Sequence, residues 1–99
     1  MTYVVKVNRK HMNFDVYIGR EWAGLPQSKW HNPFHEWNCQ SRAHCVRLYE
    51  EYVRSTPELM AAIPELIDKV LGCWCYPEAC HGDVLLKLVK EYENAHSIR

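Results

Sequence analysis

Gly72-Cys73-Trp74-Cys75-Tyr76-Pro77-Glu78-Ala79-Cys80-His81-Gly82-Asp83 is the stretch around which this chain is organised. From Cys73 to His81 it places three of the five cysteines and one histidine within nine positions. The residues leading into it, Val70-Leu71, continue through Gly72 to Cys75 as an apolar strand. Beyond it, Val84, Leu85, Leu88, Val89 and Tyr92 recur at helical spacing, with Lys87, Lys90, Glu91 and Glu93 on the solvated side. A helix from Gly82 or Asp83 to about Ala95 follows. The stretch is therefore a strand-to-helix junction, the position at which open α/β sheets bind ligands.

Working outward, Tyr3-Val4-Val5-Lys6-Val7-Asn8-Arg9 and Phe14-Asp15-Val16-Tyr17-Ile18 read as two further strands. The short polar break Lys10–Asn13 predicts that they pair as an antiparallel hairpin. Residues 20–40 break every regular pattern, with Gly24, Pro26 and Pro33 as breakers among Trp22, Trp30, Phe34 and Trp37. So long an irregular segment in a small domain either pins itself to the core through its tryptophans or forms a lid or stacking platform for a flat ligand. In the second case His31 and Asn32 are its polar contacts. Ser41 is a candidate N-cap for a helix to about Arg54, with Cys45, Val46, Tyr49, Tyr52 and Val53 facing the core. Cys45 reads as a small core residue rather than a ligand. Thr56-Pro57-Glu58 opens a second, short helix, which Pro64 bends or ends. The order is β-β-α-α-β-α, an α/β (α+β) fold with a small three-stranded sheet packed with helices, and residues 1–99 form a single domain.

Composition narrows the functional classes. Twelve Lys+Arg balance twelve Asp+Glu, so charge does not indicate nucleic acid or an anionic membrane as a partner. No apolar run reaches the roughly 18–20 residues of a membrane span, and Met1-Thr2-Tyr3-Val4 enters directly into a strand, so a cytoplasmic location is expected. In a reducing compartment, clustered cysteines serve as metal ligands or reactive thiols more often than as disulfides.

The junction admits three readings. Alternate strand residues share a face, so Cys73 and Cys75 point one way and Trp74 the other. Cys80 and His81 stand at the helix N-terminus, whose partial positive charge favours thiolates and anions. Cys73, Cys75, Cys80 and His81 supply the four Cys/His donors that zinc takes, although C-x-C-x4-C-H is not a standard finger spacing and neighbours in sequence tend to point apart. Alternatively Cys80 is a reactive or ligand-contacting thiol, with His81 as base or donor and Asp83 at the helix start. In the third reading the cysteines are buried and inert, and His81 caps the helix.

Three segments together resemble a known family: Asp15-Val16-Tyr17-Ile18-Gly19-Arg20, Ser28-Lys29-Trp30-His31-Asn32-Pro33-Phe34, and Leu71 through Leu85. The chain is similar over nearly its whole length to the domain of unknown function 4326, found in small phage and bacterial proteins. The resemblance implies no activity; if phage-encoded, the protein would act in the host cytoplasm. It marks Arg9, Tyr17, Gly19, Arg20, Ser28, Trp30, Asn32, Pro33, Phe34, Cys73, Cys75, Pro77, Cys80, His81, Gly82 and Asp83. Where that family usually has glycine between Trp and Asn, this chain has His31, which argues against a tight glycine turn there.

These readings converge on one expected site, with Gly19-Arg20, the Ser28–Phe34 loop and the Cys73–Asp83 turn gathered at one edge of the sheet. Arg9, Gly19, Arg20, Ser28, Trp30, Asn32 and Phe34 are its expected ligand contacts. Arginine, aromatics, an amide and a helix N-terminus suit a nucleotide- or nucleoside-like small molecule. The alternatives are a zinc-stabilised module that docks a protein partner, and a thiol- or metal-dependent enzyme acting on nucleotides or DNA bases, with Cys80, His81 and Asp83 as catalytic candidates. No phosphate loop, nucleophile elbow or carboxylate pair supports the last.

Overall fold

A computed structural model describes residues 1–8, 13–22, 24–74 and 80–96. Three strands, β1 (Tyr3–Lys6), β2 (Val16–Tyr17) and β3 (Val70–Cys73), form a sheet in the order β1-β3-β2. Both pairings are parallel, with Tyr3 opposite Val70, Lys6 opposite Cys73, and Tyr17 opposite Gly72. The expected antiparallel hairpin does not form. β3 is the most buried strand, with Leu71 at 0% and Cys73 at 1% exposure. A strand buried on both faces belongs in the middle of a parallel sheet, so β3 inserts between the two that a hairpin would have joined. Gly72 makes this possible by close approach: a Cβ there would lie 2.7 Å from Val7 Cγ2 and 2.8 Å from the Phe14 ring.

The helices form as their local sequence dictates. Ser41 Oγ accepts from the backbone N–H of His44 and starts α1 (Arg42–Arg54), which buries Cys45, Tyr49 and Val53 at four-residue spacing. Pro57 opens α2 (Pro57–Ala62), and Pro64 tightens the chain into a 3-10 turn over Ile63–Leu66. Thr56 stands at the N-cap but makes no capping bond, because its hydroxyl donates to the Tyr52 carbonyl at 2.6 Å. The last helix, α3 (His81–Ala95), packs against α1, β1 and the 63–66 turn. It starts at His81 because the Cys80 thiol is its N-cap, and Asp83 closes a capping box onto the Cys80 backbone. Trp30, Tyr49, Leu66, Leu71, Leu85 and Leu88 form the centre of the core. The described residues between 20 and 40 contribute no strand or α-helix; they form a Trp22–Leu25 bridge and a 3-10 turn at Glu36–Asn38.

Candidate functional site

The carboxyl end of β3 and the first turn of α3 form the floor of a cavity of about 460 Å³. Cys73, Cys80 and His81 lie there, at 1%, 4% and 7% exposure. The Cys73 and Cys80 sulfurs are 2.8 Å apart, and the Cys80 sulfur also accepts from the Gly82 backbone N–H at 3.1 Å. His81 Nε2 lies 2.6 Å from the Ile18 carbonyl. A carbonyl only accepts, so Nε2 carries a proton and donates it to this bond. The ring meets Tyr49 edge-on at 4.9 Å between centroids. Burial, above all, pushes the Tyr49 phenol far up, with lesser contributions from Tyr52, Cys80 and Cys73, so it stays neutral. It donates to the Trp30 carbonyl at 2.7 Å.

One wall comes from the chain leaving β2. Tyr17 Oη donates to the Arg20 carbonyl at 2.5 Å and accepts from Trp74 Nε1 at 2.6 Å. The ring crosses over Gly19, where a Cβ would come 2.5 Å from that oxygen, so any side chain there would have to push the Tyr17 phenol aside. Trp22 and Trp74 meet edge-to-face at 3.8 Å between centroids, and both line the cavity. Arg20 Nη2 donates to the carbonyls of Asn32 (2.5 Å) and Phe34 (3.1 Å), pinning the aromatic loop beside it. Asn32, Phe34 and His35 supply the facing wall, and Arg42, Cys45 and Val46 of α1 complete it.

Of the residues singled out in the sequence, Gly19, Arg20, Asn32, Phe34, Cys73, Cys80 and His81 all line this one cavity. Ser28, Trp30 and Asp83 stand elsewhere. Ser28 builds a turn, its Oγ accepting from the Trp30 N–H and its carbonyl from both the backbone N–H and Nδ1 of His31. Trp30 is a core residue at 2% exposure rather than a stacking platform. Asp83 is exposed and spent on the helix cap. Arg9, Cys75 and Pro77 lie outside the described residues. His31 needs no glycine-like backbone: among the described non-glycine residues only Asp68 has positive φ. Trp74 faces the same cavity as Cys73, because β3 ends at Cys73 and strand alternation ends with it.

The sequence did not mark Glu21, Trp22, His35, Arg42, Val46 or Trp74 as site residues, yet all line the cavity. Nor did it anticipate the disulfide between Cys39 and Cys45. Cys45 is buried, as a core residue should be, yet it pairs with the cysteine six positions earlier and lines the cavity. That six-residue spacing, one partner before an N-cap and one in the first turn, was the available signal.

The ligand atoms of Cys73, Cys80 and His81 lie within 4.8 Å of one another, the one such group found among the described residues. Two thiols and an imidazole are the donor chemistry zinc takes. Tetrahedral zinc, at about 2.3 Å from each sulfur, holds two sulfurs roughly 3.8 Å apart. The pair at 2.8 Å would have to open by about 1 Å to accept the ion. The donor set fits, and its spacing requires that adjustment.

Comparison with known proteins places the whole site inside one family match. A family model described as domain of unknown function (DUF4326) matches residues 5–91. An uncharacterized protein of Acanthamoeba polyphaga mimivirus is 39% identical over 104 aligned residues, covering 88% of this chain and 78% of that protein. That relative is viral but not from a bacteriophage. No solved structure matches.

Proposed function

The chain belongs to the domain of unknown function 4326 family, whose description carries no activity; from that premise we propose that the protein binds a nucleotide- or nucleoside-like ligand at the strand-to-helix junction. The observation that carries the reading is the cavity of about 460 Å³ at the carboxyl end of the central parallel strand. Its volume falls within the roughly 300–1,000 Å³ of small-molecule sites. Trp22, Trp74 and Phe34 supply flat faces for a base, and Arg42 and the start of α3 supply a positive end for an anionic group. Arg20 acts chiefly by holding the Asn32–Phe34 wall in place. Equilibrium dialysis against nucleosides and their mono-, di- and triphosphates tests the reading. We expect saturable binding of at least one member, weakened tenfold or more by Arg20→Ala and by Trp74→Ala. If the whole panel partitions as buffer does, the reading fails.

A second reading is supported by the floor itself: Cys73, Cys80 and His81 hold a zinc ion that staples β3 to α3. Metal analysis of protein purified without added metal checks it. Near-stoichiometric zinc, lost together with the fold on chelation, supports the staple. Metal-free protein whose thiols alkylate rapidly near neutral pH supports a ligand-contacting thiol instead.

A further inference from the structure

We propose that the Cys39–Cys45 disulfide is a redox latch on this cavity, closed when oxidised and opened by a thiol reductant. The inference names a regulation of the site above and rests on that reading of the cavity. The latch joins two pieces of its wall. Cys45 lies in the first turn of α1 and lines the cavity, and Cys39 ends the segment that presents His35 to it.

The remaining ties of that segment explain why the bond matters. Arg20 clamps the chain on one side, at the carbonyls of Asn32 and Phe34, and the Ser41 cap fixes it on the other. Between these anchors, the described ties include two hydrogen bonds from backbone N–H groups. The Asn38 N–H donates to the His35 carbonyl at 2.8 Å, and the Gln40 N–H to His44 Nδ1 at 3.0 Å. Trp37 stacks on His35 with ring centroids 4.1 Å apart, yet it is 78% exposed and gives the segment no anchor in the core. The disulfide is the covalent tie of residues 35–40 to α1.

The two sulfurs also differ in a way that suits exchange. Cys45 is 5% exposed while Cys39 is half-buried, so an incoming thiolate attacks Cys39. The Cys39–Cys45 bond breaks, a mixed disulfide forms at Cys39, and Cys45 leaves as a thiolate. The first turn of a helix favours that departing negative charge. A second reductant thiol then attacks the mixed disulfide and releases Cys39. Two donor thiols become one disulfide, their two protons go to Cys39 and Cys45, and two electrons are transferred. The Cys45 sulfur lies 3.5 Å from the His35 carbonyl, a ready acceptor for the S–H that reduction creates.

Hydrogen exchange of the full chain, oxidised and after treatment with a phosphine reductant, tests the latch. On reduction we expect amides of residues 35–40 to exchange at least tenfold faster, while those of β3 and α3 change little. Cys39→Ser without reductant should match reduced wild type and respond no further to reductant. Unchanged exchange in residues 35–40, or full alkylation of Cys39 and Cys45 in air-purified protein, overturns the latch. Dialysis of both forms against the same nucleotide panel separates the two ideas. If no nucleotide binds either form but exchange still responds, the latch stands and the ligand reading falls. If nucleotides bind while exchange is indifferent to reductant, the reverse holds.

Discussion

Gly72 shows how much one residue decides. It lies mid-strand in the centre of the sheet, and a methyl group there would press on Val7, at 0% exposure, and on Phe14. Gly72→Ala is expected to destabilise the fold by about 1–3 kcal/mol, the usual cost of overpacking, read as a lower urea midpoint. Tyr49→Phe tests a bond instead of a volume. Its hydroxyl is buried and donates to the Trp30 carbonyl, so removing it leaves that acceptor without the partner the phenol supplied, a loss of about 1–3 kcal/mol. Because Tyr49 does not line the cavity, ligand affinity should be unchanged when measured well below the melting temperature. At this scale the Cys73, Cys80, His81 cluster was legible, since few positions separate its members. Ser28 shows why another residue misled. Residues that cap turns are the same types that contact ligands, and Ser28 Oγ accepts the Trp30 N–H two residues on, away from the cavity, whereas Asn32 Oδ1 makes the same kind of turn with the Phe34 N–H while lining it. Trp22 and Arg42 were not legible as site residues, because their meeting depends on the path of an irregular loop between them.

Among the elements, the helices were readable and the sheet was not. Caps and periodicity are local signals, so α1 and α2 begin where Ser41 and Pro57 indicate. Strand pairing is set by which strand is most buried, and β3 pairs with β1 across more than sixty residues of sequence. Cys80 carries two roles, as the α3 cap and as a candidate metal ligand, and two substitutions separate them. Cys80→Ser keeps an oxygen that can cap α3 and should leave helicity by circular dichroism intact while zinc uptake drops. Cys80→Ala removes the cap as well and should cost about 1 kcal/mol more. Helices α1 and α3 are also joined electrostatically: Glu50 meets Lys87 and Arg54, and Arg54 reaches Glu91. Hydrogen bonds from Lys87, then Arg54, hold the Glu50 carboxyl below its ordinary value. A depressed acid stabilises the fold above its unfolded pKa and loses that contribution as pH falls through the folded one. Glu50→Gln should therefore cost roughly 0.2–1 kcal/mol near neutral pH, screened as surface pairs are. The difference should shrink in the acidic range below the ordinary glutamate value and in 1 M salt, as thermal melts across pH would show.

At the level of the whole molecule, the Cα radius of gyration is 13.1 Å, the value of about 13 Å expected for a compact chain of 100 residues. The irregular segment is therefore folded against the body rather than trailing from it, and its tryptophans act in two ways that the sequence could not separate. Trp30 anchors it in the core, while Trp22 faces the cavity. Among the described residues no helix is long and apolar enough to cross a membrane. The disulfide must act on this compact body locally for a latch to work. Its sequence separation is 6, and closing so short a loop restricts the unfolded chain by about 2 kcal/mol. A domain of this size has a total stability of roughly 5–15 kcal/mol, so reduction should loosen residues 35–40 while leaving the sheet and α3 folded. Urea titrations of wild type with and without a phosphine reductant, and of Cys39→Ser, measure this directly. The expected result is a loss of about 2 kcal/mol, equal in reduced wild type and in the variant, with an unchanged dependence on urea. A loss large enough to unfold the protein at 25 °C would mean that the bond holds the whole fold, and the cavity would then be lost on reduction rather than opened.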